Sequence, residues 1–207
     1  ILRTLERYHL HWDGDVLHQR DRQAAYADQV SQGMQSGLAY ACQCSRKSLE
    51  PYGEHYPGLC QNLMLPPTNN AIRLRVPNVL YRVNDRVQPA FEQNLGELGD
   101  FIIQRRDGYF AYQLAVVMDD ILQGVNAVVR GADLLSSTPR QLYIYDLLGQ
   151  PAPSYLHVPL QIQADGRKLS KSYRSMPITD ADASRQLGKA LHALGHDLPD
   201  ELIGAPC

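Results

Sequence analysis

The sequence predicts an α/β protein built on half of a doubly wound sheet, and three observations carry that prediction. Val125-Asn126-Ala127-Val128-Val129 is a near-continuous β-branched run, the pattern of a buried parallel strand. Ser137-Thr138-Pro139 then reads as a helix start, with Thr as the cap and Pro at the first helical position. Leu156 to Ile162 reads as a further strand, ended by the Asp165-Gly166 turn. In such an arrangement ligands sit at the carboxyl ends of the strands, where Arg130-Gly131-Ala132-Asp133 falls.

The remaining elements follow in chain order. Apolar side chains at positions 1, 2, 5 and 8 have helical spacing, and Trp12-Asp13-Gly14-Asp15 breaks that helix. Asp21 to Leu38 reads as a second helix with Ala24, Ala25, Val30 and Met34 towards one side. Tyr40-Ala41-Cys42 is a short strand, and 45–70, rich in Pro and Gly, is a loop-rich insertion. Ala71 to Val76 alternates apolar and basic residues, as a half-buried strand does, and Val79 to Asn84 is expected to pair with it across Pro77-Asn78. Phe101-Ile102-Ile103 is a strand, Asp107-Gly108 a turn, and Tyr112 to Ile121 a helix. The helix from Ser137 should reach Gly149, and Thr179-Asp180-Ala181-Asp182 can cap a last helix running to about Gly195.

Composition narrows the function. The 207 residues are 44% hydrophobic and 20% charged, which supports a packed core and argues against wholesale disorder. Twenty Lys and Arg against 22 Asp and Glu give a formal charge of −2, which disfavours a binder held to nucleic acid by charge alone. No apolar run approaches the roughly 18 residues of a membrane span. Ile1-Leu2-Arg3-Thr4-Leu5-Glu6-Arg7 has neither an initiator Met nor the layout of a signal peptide, and is expected to begin inside a longer protein. Cys42, Cys44 and Cys60 lie close together with Cys207 far off, a distribution that suits a metal site in a reducing cytoplasm better than a disulfide framework.

Several groups can carry chemistry. Lys168-Leu169-Ser170-Lys171-Ser172 offers two ammonium groups and two hydroxyls to a polyphosphate, or else is a solvated loop. Cys42, Cys44 and Cys60 can supply three thiolates of a tetrahedral zinc site, with His55 or Tyr56 as the fourth ligand, or else are three buried or free thiols. Arg130, at a strand end beside glycine, can clamp a carboxylate or close a salt bridge. Asp119-Asp120 reads as a helix-end or surface pair rather than a holder of metal or ribose, and His192 with His196 as a surface helix rather than a metal site. Arg73, Arg75, Arg82 and Arg86 either touch a phosphate backbone or line a solvated sheet face.

Taken together these features resemble the class I aminoacyl-tRNA synthetases of the glutamyl/glutaminyl group. Val117-Met118-Asp119-Asp120 and Val129-Arg130-Gly131-Ala132-Asp133-Leu134-Leu135-Ser136-Ser137-Thr138-Pro139-Arg140-Gln141 are similar to that group's VVDD…RGxDxLxxTPxQ segment. Lys168 to Ser172 resembles the KMSKS signature with Leu for Met, and Trp12-Asp13 with Gln19, Arg22 and Tyr26 fits the WD…QS-R…Y stretch. Cys42, Cys44, Tyr56 and Cys60, the segment Phe101 to Gly108, and Asn126-Ala127-Val128 before Arg130-Gly131 are most similar to the short branch without an anticodon-binding domain.

The resemblance implies a Rossmann-type catalytic domain whose first strand and HIGH-like motif would precede Ile1, a zinc-containing insertion and a C-terminal helical start cut short after Cys207. Its expected parts are 1–38, the remainder of the first Rossmann half; 39–99, the zinc-containing, acceptor-binding-like insertion; 100–172, the second half; and 173–207, the helical segment. It implies a cytoplasmic, monomeric enzyme that activates L-glutamate with ATP and Mg²⁺, without tRNA, and transfers it to queuosine at the wobble position of tRNA(Asp). Tyr112 and Arg130 then match glutamate-binding positions. Lys168, Ser170 and Lys171 match the ATP site, with Lys171 catalytic at the leaving pyrophosphate. Cys42, Cys44, Tyr56 and Cys60 match the ligands of a structural zinc, and Gln113 stands where Asn is usual. The competing readings are a fragment of a tRNA-dependent glutamyl-tRNA synthetase and a non-catalytic RNA-binding module.

Overall fold

The computed structural model describes residues 1–162 and 183–196. The described residues fall into two units. The smaller takes in Ile1–Val16, Gly131–Asp133 and the described residues from Val158 on, and holds the short helix α1 (Leu2–Arg7) near the start of the chain. No helix among the described residues is long and apolar enough to cross a membrane.

The larger unit, Leu17–Arg130 with Leu134–His157, opens on a 3₁₀ turn over Gln19–Arg22 that runs into α2 (Gln23–Gln35). The buried face of α2 is Tyr26 and Val30, one helical turn apart, whereas Ala24 is exposed. The expected face was therefore rotated, because Tyr26 rather than the small alanines fills the core. Gly37, at φ +74°, lets the chain turn into β1 (Ala39–Cys42).

Ser45 starts the insertion with a reciprocal Ser45/Ser48 capping box on α3 (Arg46–Leu49), followed by a 3₁₀ turn over Glu50–Tyr52. β2 (Ala71–Leu74) then lies antiparallel to β1, with Ala39 opposite Leu74 and Cys42 opposite Ala71. All four β2 residues are buried, so the strand is not the half-solvated one that its alternation suggests.

β3 (Leu80–Val83) pairs with β4 (Phe91–Asn94), not with β2. Both edges of β2 are already taken, one by β1 and the other by β5 (Phe101–Gln104). The Arg75 N–H continues this pairing to Leu38 O, so no donor row remains for 79–84. Between β4 and β5 a single turn, α4 (Leu95–Leu98), is capped by the Asn94 side chain and buries Leu95 completely.

After β5 the chain turns at Gly108 into α5 (Tyr112–Gln123), which ends on Gly124 in the left-handed conformation. β6 (Ala127–Gly131) and β7 (Ser154–Val158) form their own two-stranded sheet. The β-branched run of β6 was expected to be buried, yet Val129 is 64% exposed, since among the described residues this strand has one partner. Likewise β5 joins the antiparallel β1–β2 pair instead of continuing into one sheet with β6.

α6 (Thr138–Leu147) buries Tyr143, Ile144 and Tyr145. Ser137 occupies the cap position, so Thr138 is the first helical residue rather than the cap. The core collects Tyr26, Ile72, Leu95, Val117, Ile144 and Tyr145, each at most 2% exposed, from α2, β2, α4, α5 and α6. The aliphatic ones contribute roughly 1.5–3 kcal/mol each through burial. α7 (Ala183–Ala193) belongs to the smaller unit, and His192 and His196 are exposed as expected.

Candidate active site and metal centre

Arg130 ends the larger unit's part of β6, and Tyr112 is the first residue of α5. The structure brings these two together: Arg130 Nη1 donates to the Tyr112 hydroxyl at 3.4 Å. Nη2 donates to Thr138 Oγ1 at 2.9 Å, and the guanidinium lies 5.1 Å over the Tyr155 ring. Tyr112 is 46% exposed, so the phenol and the guanidinium meet on an open face. A fixed fork of N–H donors beside a hydroxyl has the chemistry to receive a carboxylate. Burial pushes the Tyr155 phenol up to about 12 against the opposing effect of Arg130, so that ring stays a neutral platform.

Behind Arg130 lie two groups that the sequence reading missed. His157 is fully buried on β7, and its Nε2 sits 3.0 Å from Arg130 Nε. Its Nδ1 sits 2.6 Å from Asp85 Oδ2, with both side chains fully enclosed. Asp85 also takes the backbone N–H groups of Val87, Gln88 and His157. Burial alone would raise the Asp85 carboxyl; these donors and the His157 ring outweigh it and hold it at about 2. One signal was available: Tyr155 and His157 alternate inward on β7, so a polar residue stands at a core position.

The cysteine segment folds as a second site. The Sγ atoms of Cys42, Cys44 and Cys60 all lie within 4.8 Å of one another, Cys44 and Cys60 at 3.5 Å, as free thiols. The Tyr56 hydroxyl is 3.5 Å from Cys42 Sγ, 4.0 Å from Cys44 Sγ and accepts the Cys60 N–H at 3.0 Å. A tetrahedron with metal–sulfur bonds of ~2.3 Å places its sulfurs about 3.8 Å apart, which this donor set fits. His55, the other candidate fourth ligand, points elsewhere, its Nδ1 2.8 Å from Glu97 O.

Burial pushes the Cys42 thiol up, but hydrogen bonds from Tyr56 and Arg73 more than reverse this and bring it to about 7. Burial and the neighbouring thiols push Cys44 up to about 11. Arg73 is 6% exposed, stacks 3.6 Å over the Tyr56 ring, and donates to Cys42 Sγ and Asp100 O. Arg75 lies over the Tyr40 ring and donates to Gly37 O and Gln61 O. These two arginines therefore brace the insertion instead of forming a phosphate-facing row.

Asp119 also departs from the surface pair expected of it. It is 4% exposed and accepts the Tyr26 hydroxyl at 2.8 and 2.6 Å, Gln19 Nε2 at 3.1 Å and Arg22 Nε at 3.4 Å. Gln19, Arg22 and Tyr26, quoted above as one stretch, thus converge on one carboxylate. Asp120 instead faces Tyr145, and burial raises its carboxyl. Gln113 accepts from the buried Gln141 amide at 2.7 Å. Lys168, Ser170 and Lys171 lie outside the described residues.

Residues 1–190 match the family described as tRNA synthetases class I (E and Q), catalytic domain, a family of ligases. The glutamyl-Q tRNA(Asp) synthetase of Ectopseudomonas mendocina (strain ymp) is 59% identical over 206 residues, 99% of this chain and 70% of that protein. The protein of the same name from Pseudomonas aeruginosa (strain LESB58) is 57% identical over the same shares. The chain belongs to this glutamyl-Q tRNA(Asp) synthetase family of class I synthetases.

Among solved structures it is similar to a glutamate tRNA ligase from Elizabethkingia meningosepticum CCUG26117 in complex with its amino acid. The TM-score is 0.68 at 22% identity, over 82% of this chain and 41% of that one, a likeness of fold. The glutamate–tRNA synthetase of Elizabethkingia anophelis gives 0.67 at 22%, with the same coverage. The chain thus spans about two fifths of those solved chains.

Proposed function

We propose that the protein activates L-glutamate with ATP in the absence of tRNA and transfers the glutamyl group to queuosine at the wobble position of tRNA(Asp). In the first step a glutamate α-carboxylate oxygen attacks the α-phosphorus of ATP in line, a phosphorus–oxygen bond forms, and pyrophosphate leaves with the electron pair of the bond that breaks. In the second, a hydroxyl oxygen on the modified base attacks the glutamyl carbonyl, AMP departs with the electron pair of the carbon–oxygen bond that breaks, and the hydroxyl proton passes to the departing phosphate.

The observation that carries the reading is the Arg130–Tyr112 pair on an open face. Its fixed cation and hydroxyl suit a glutamate carboxylate, and holding the substrate in line supplies much of the catalysis. Lys168, Ser170 and Lys171 would bind the ATP phosphates, and Lys171 would stabilise charge on the departing pyrophosphate. ATP enters with Mg²⁺. Cys42, Cys44, Tyr56 and Cys60 would hold a structural zinc that braces the insertion facing the RNA.

The test is glutamate-dependent ATP–pyrophosphate exchange without tRNA, on the complete natural protein. Exchange that needs glutamate and is unaffected by added tRNA is the expected result. Folded, zinc-loaded protein that exchanges only when tRNA is present overturns the tRNA-independent step. Absence of exchange in either case overturns the enzymatic reading of this site.

A further inference from the structure

The way in which Arg130 is held has its own chemical logic. Arginine Nε carries a hydrogen and no lone pair, so whatever faces it at hydrogen-bond distance must accept. The facing atom is His157 Nε2, at 3.0 Å. That nitrogen therefore bears the lone pair, and the ring proton sits on Nδ1, directed at Asp85 Oδ2 at 2.6 Å. The backbone N–H groups of Val87 and Gln88 occupy Asp85 Oδ1, the His157 backbone N–H is shared between the two oxygens, and Oδ2 faces the imidazole. The polarity of the chain thus runs one way, from Arg130 to His157 to Asp85. Thr138 Oγ1, which takes Nη2, lies 3.3 Å from the same Nε2.

We infer that Asp85 and His157 are positioning residues that fix the Arg130 guanidinium for the glutamate carboxylate by locking His157 as its Nδ1–H tautomer. The inference rests on the proposed role of Arg130. Three of its consequences follow from the contacts. With Nε tied back to His157 and one Nη tied to Thr138, the guanidinium plane is set before ligand arrives. The remaining donor directions, on the Tyr112 side, are then free of rotational search. Neither Asp85 nor His157 needs to touch substrate, for both are enclosed.

The experiment compares Asp85→Asn and His157→Gln with the wild type in the complete natural protein, reading KM for glutamate and for ATP separately in the exchange assay. In Asp85→Asn the backbone donors keep the amide oxygen on their side and turn the amide N–H₂ towards His157 Nδ1. The ring proton moves to Nε2, where it opposes Arg130 Nε–H. Glutamate KM is expected to rise about tenfold, with ATP KM within about twofold. His157→Gln keeps an acceptor oxygen within reach of Arg130, and a smaller rise, about threefold, is expected.

Unchanged glutamate KM in Asp85→Asn overturns the proposal. So does an equal rise in both KM values, the mark of a merely structural role. Should the variants fail to fold, the ring nitrogens of wild-type His157 decide by NMR: Nδ1–H supports the proposal, and Nε2–H or a doubly protonated ring overturns it. Wild-type protein that neither binds glutamate nor exchanges would refute the role of Arg130 itself, and is seen without any variant.

Discussion

Asp119 accepts from Tyr26, Gln19 and Arg22 while only 4% exposed, so its charge depends on those three donors rather than on water. Asp119→Ala leaves the buried Tyr26 hydroxyl without an acceptor and Arg22 without its partner, and should cost about 3 kcal/mol. Tyr26→Phe leaves the carboxylate with its other two donors and should cost about 1 kcal/mol. Urea unfolding of the two variants checks the order; a larger loss from Tyr26→Phe would contradict this account. Sequence spacing shows that Asp119 and Asp120 point different ways, but not which points inward. The better clue was that Asp119 lies one turn from Ala115, on the buried stripe of α5. That Tyr112 meets Arg130 and that Cys42, Cys44 and Cys60 cluster was legible, because each stands in a short motif. Asp85 was not, since 72 residues separate it from His157 and nothing local marks it as enclosed; His157 carried only the inward alternation of β7.

At the scale of elements, the cysteine segment depends on a backbone approach. Tyr56 bridges to Gly99, and a Cβ at Gly99 would collide with Tyr56 O, from a backbone at φ +74°. Gly99→Ala must therefore displace the Tyr56 backbone and draw its hydroxyl away from the thiols. Wild-type protein is expected to retain about one zinc per chain after dialysis under reducing conditions. Gly99→Ala should retain less than half of that, and Cys60→Ser almost none. Full zinc in Gly99→Ala would show that Tyr56 is dispensable, and wild-type protein without metal would remove the zinc reading altogether. The helices α2 and α5 were legible within a few residues because their apolar period is local, and α6 because Ser137-Thr138-Pro139 marks its start. Strand pairing was not: the partner of 79–84 was misjudged because both edges of β2 are filled by strands that begin elsewhere in the chain.

At the scale of the molecule, the α/β class and the family were legible, the first from periodicity and the second from motifs spread along most of the chain. The allocation of β5 to the antiparallel sheet was not, because a short apolar strand has no mark of its sheet. The Asp119 contacts also have a temporal side. They join residues 93, 97 and 100 positions apart, whereas β1 and β2 are joined by pairs such as Cys42 with Ala71. Closing the longer loop costs more chain entropy, so the hairpin-like centre can assemble while the segment around Tyr26 is still searching. Tyr26→Phe should accordingly leave the refolding rate within about twofold and put most of its effect into faster unfolding, as stopped-flow chevrons would show. The carboxylate that holds α2 to α5 then acts as a latch: it closes after the barrier and governs how long the folded chain stays shut.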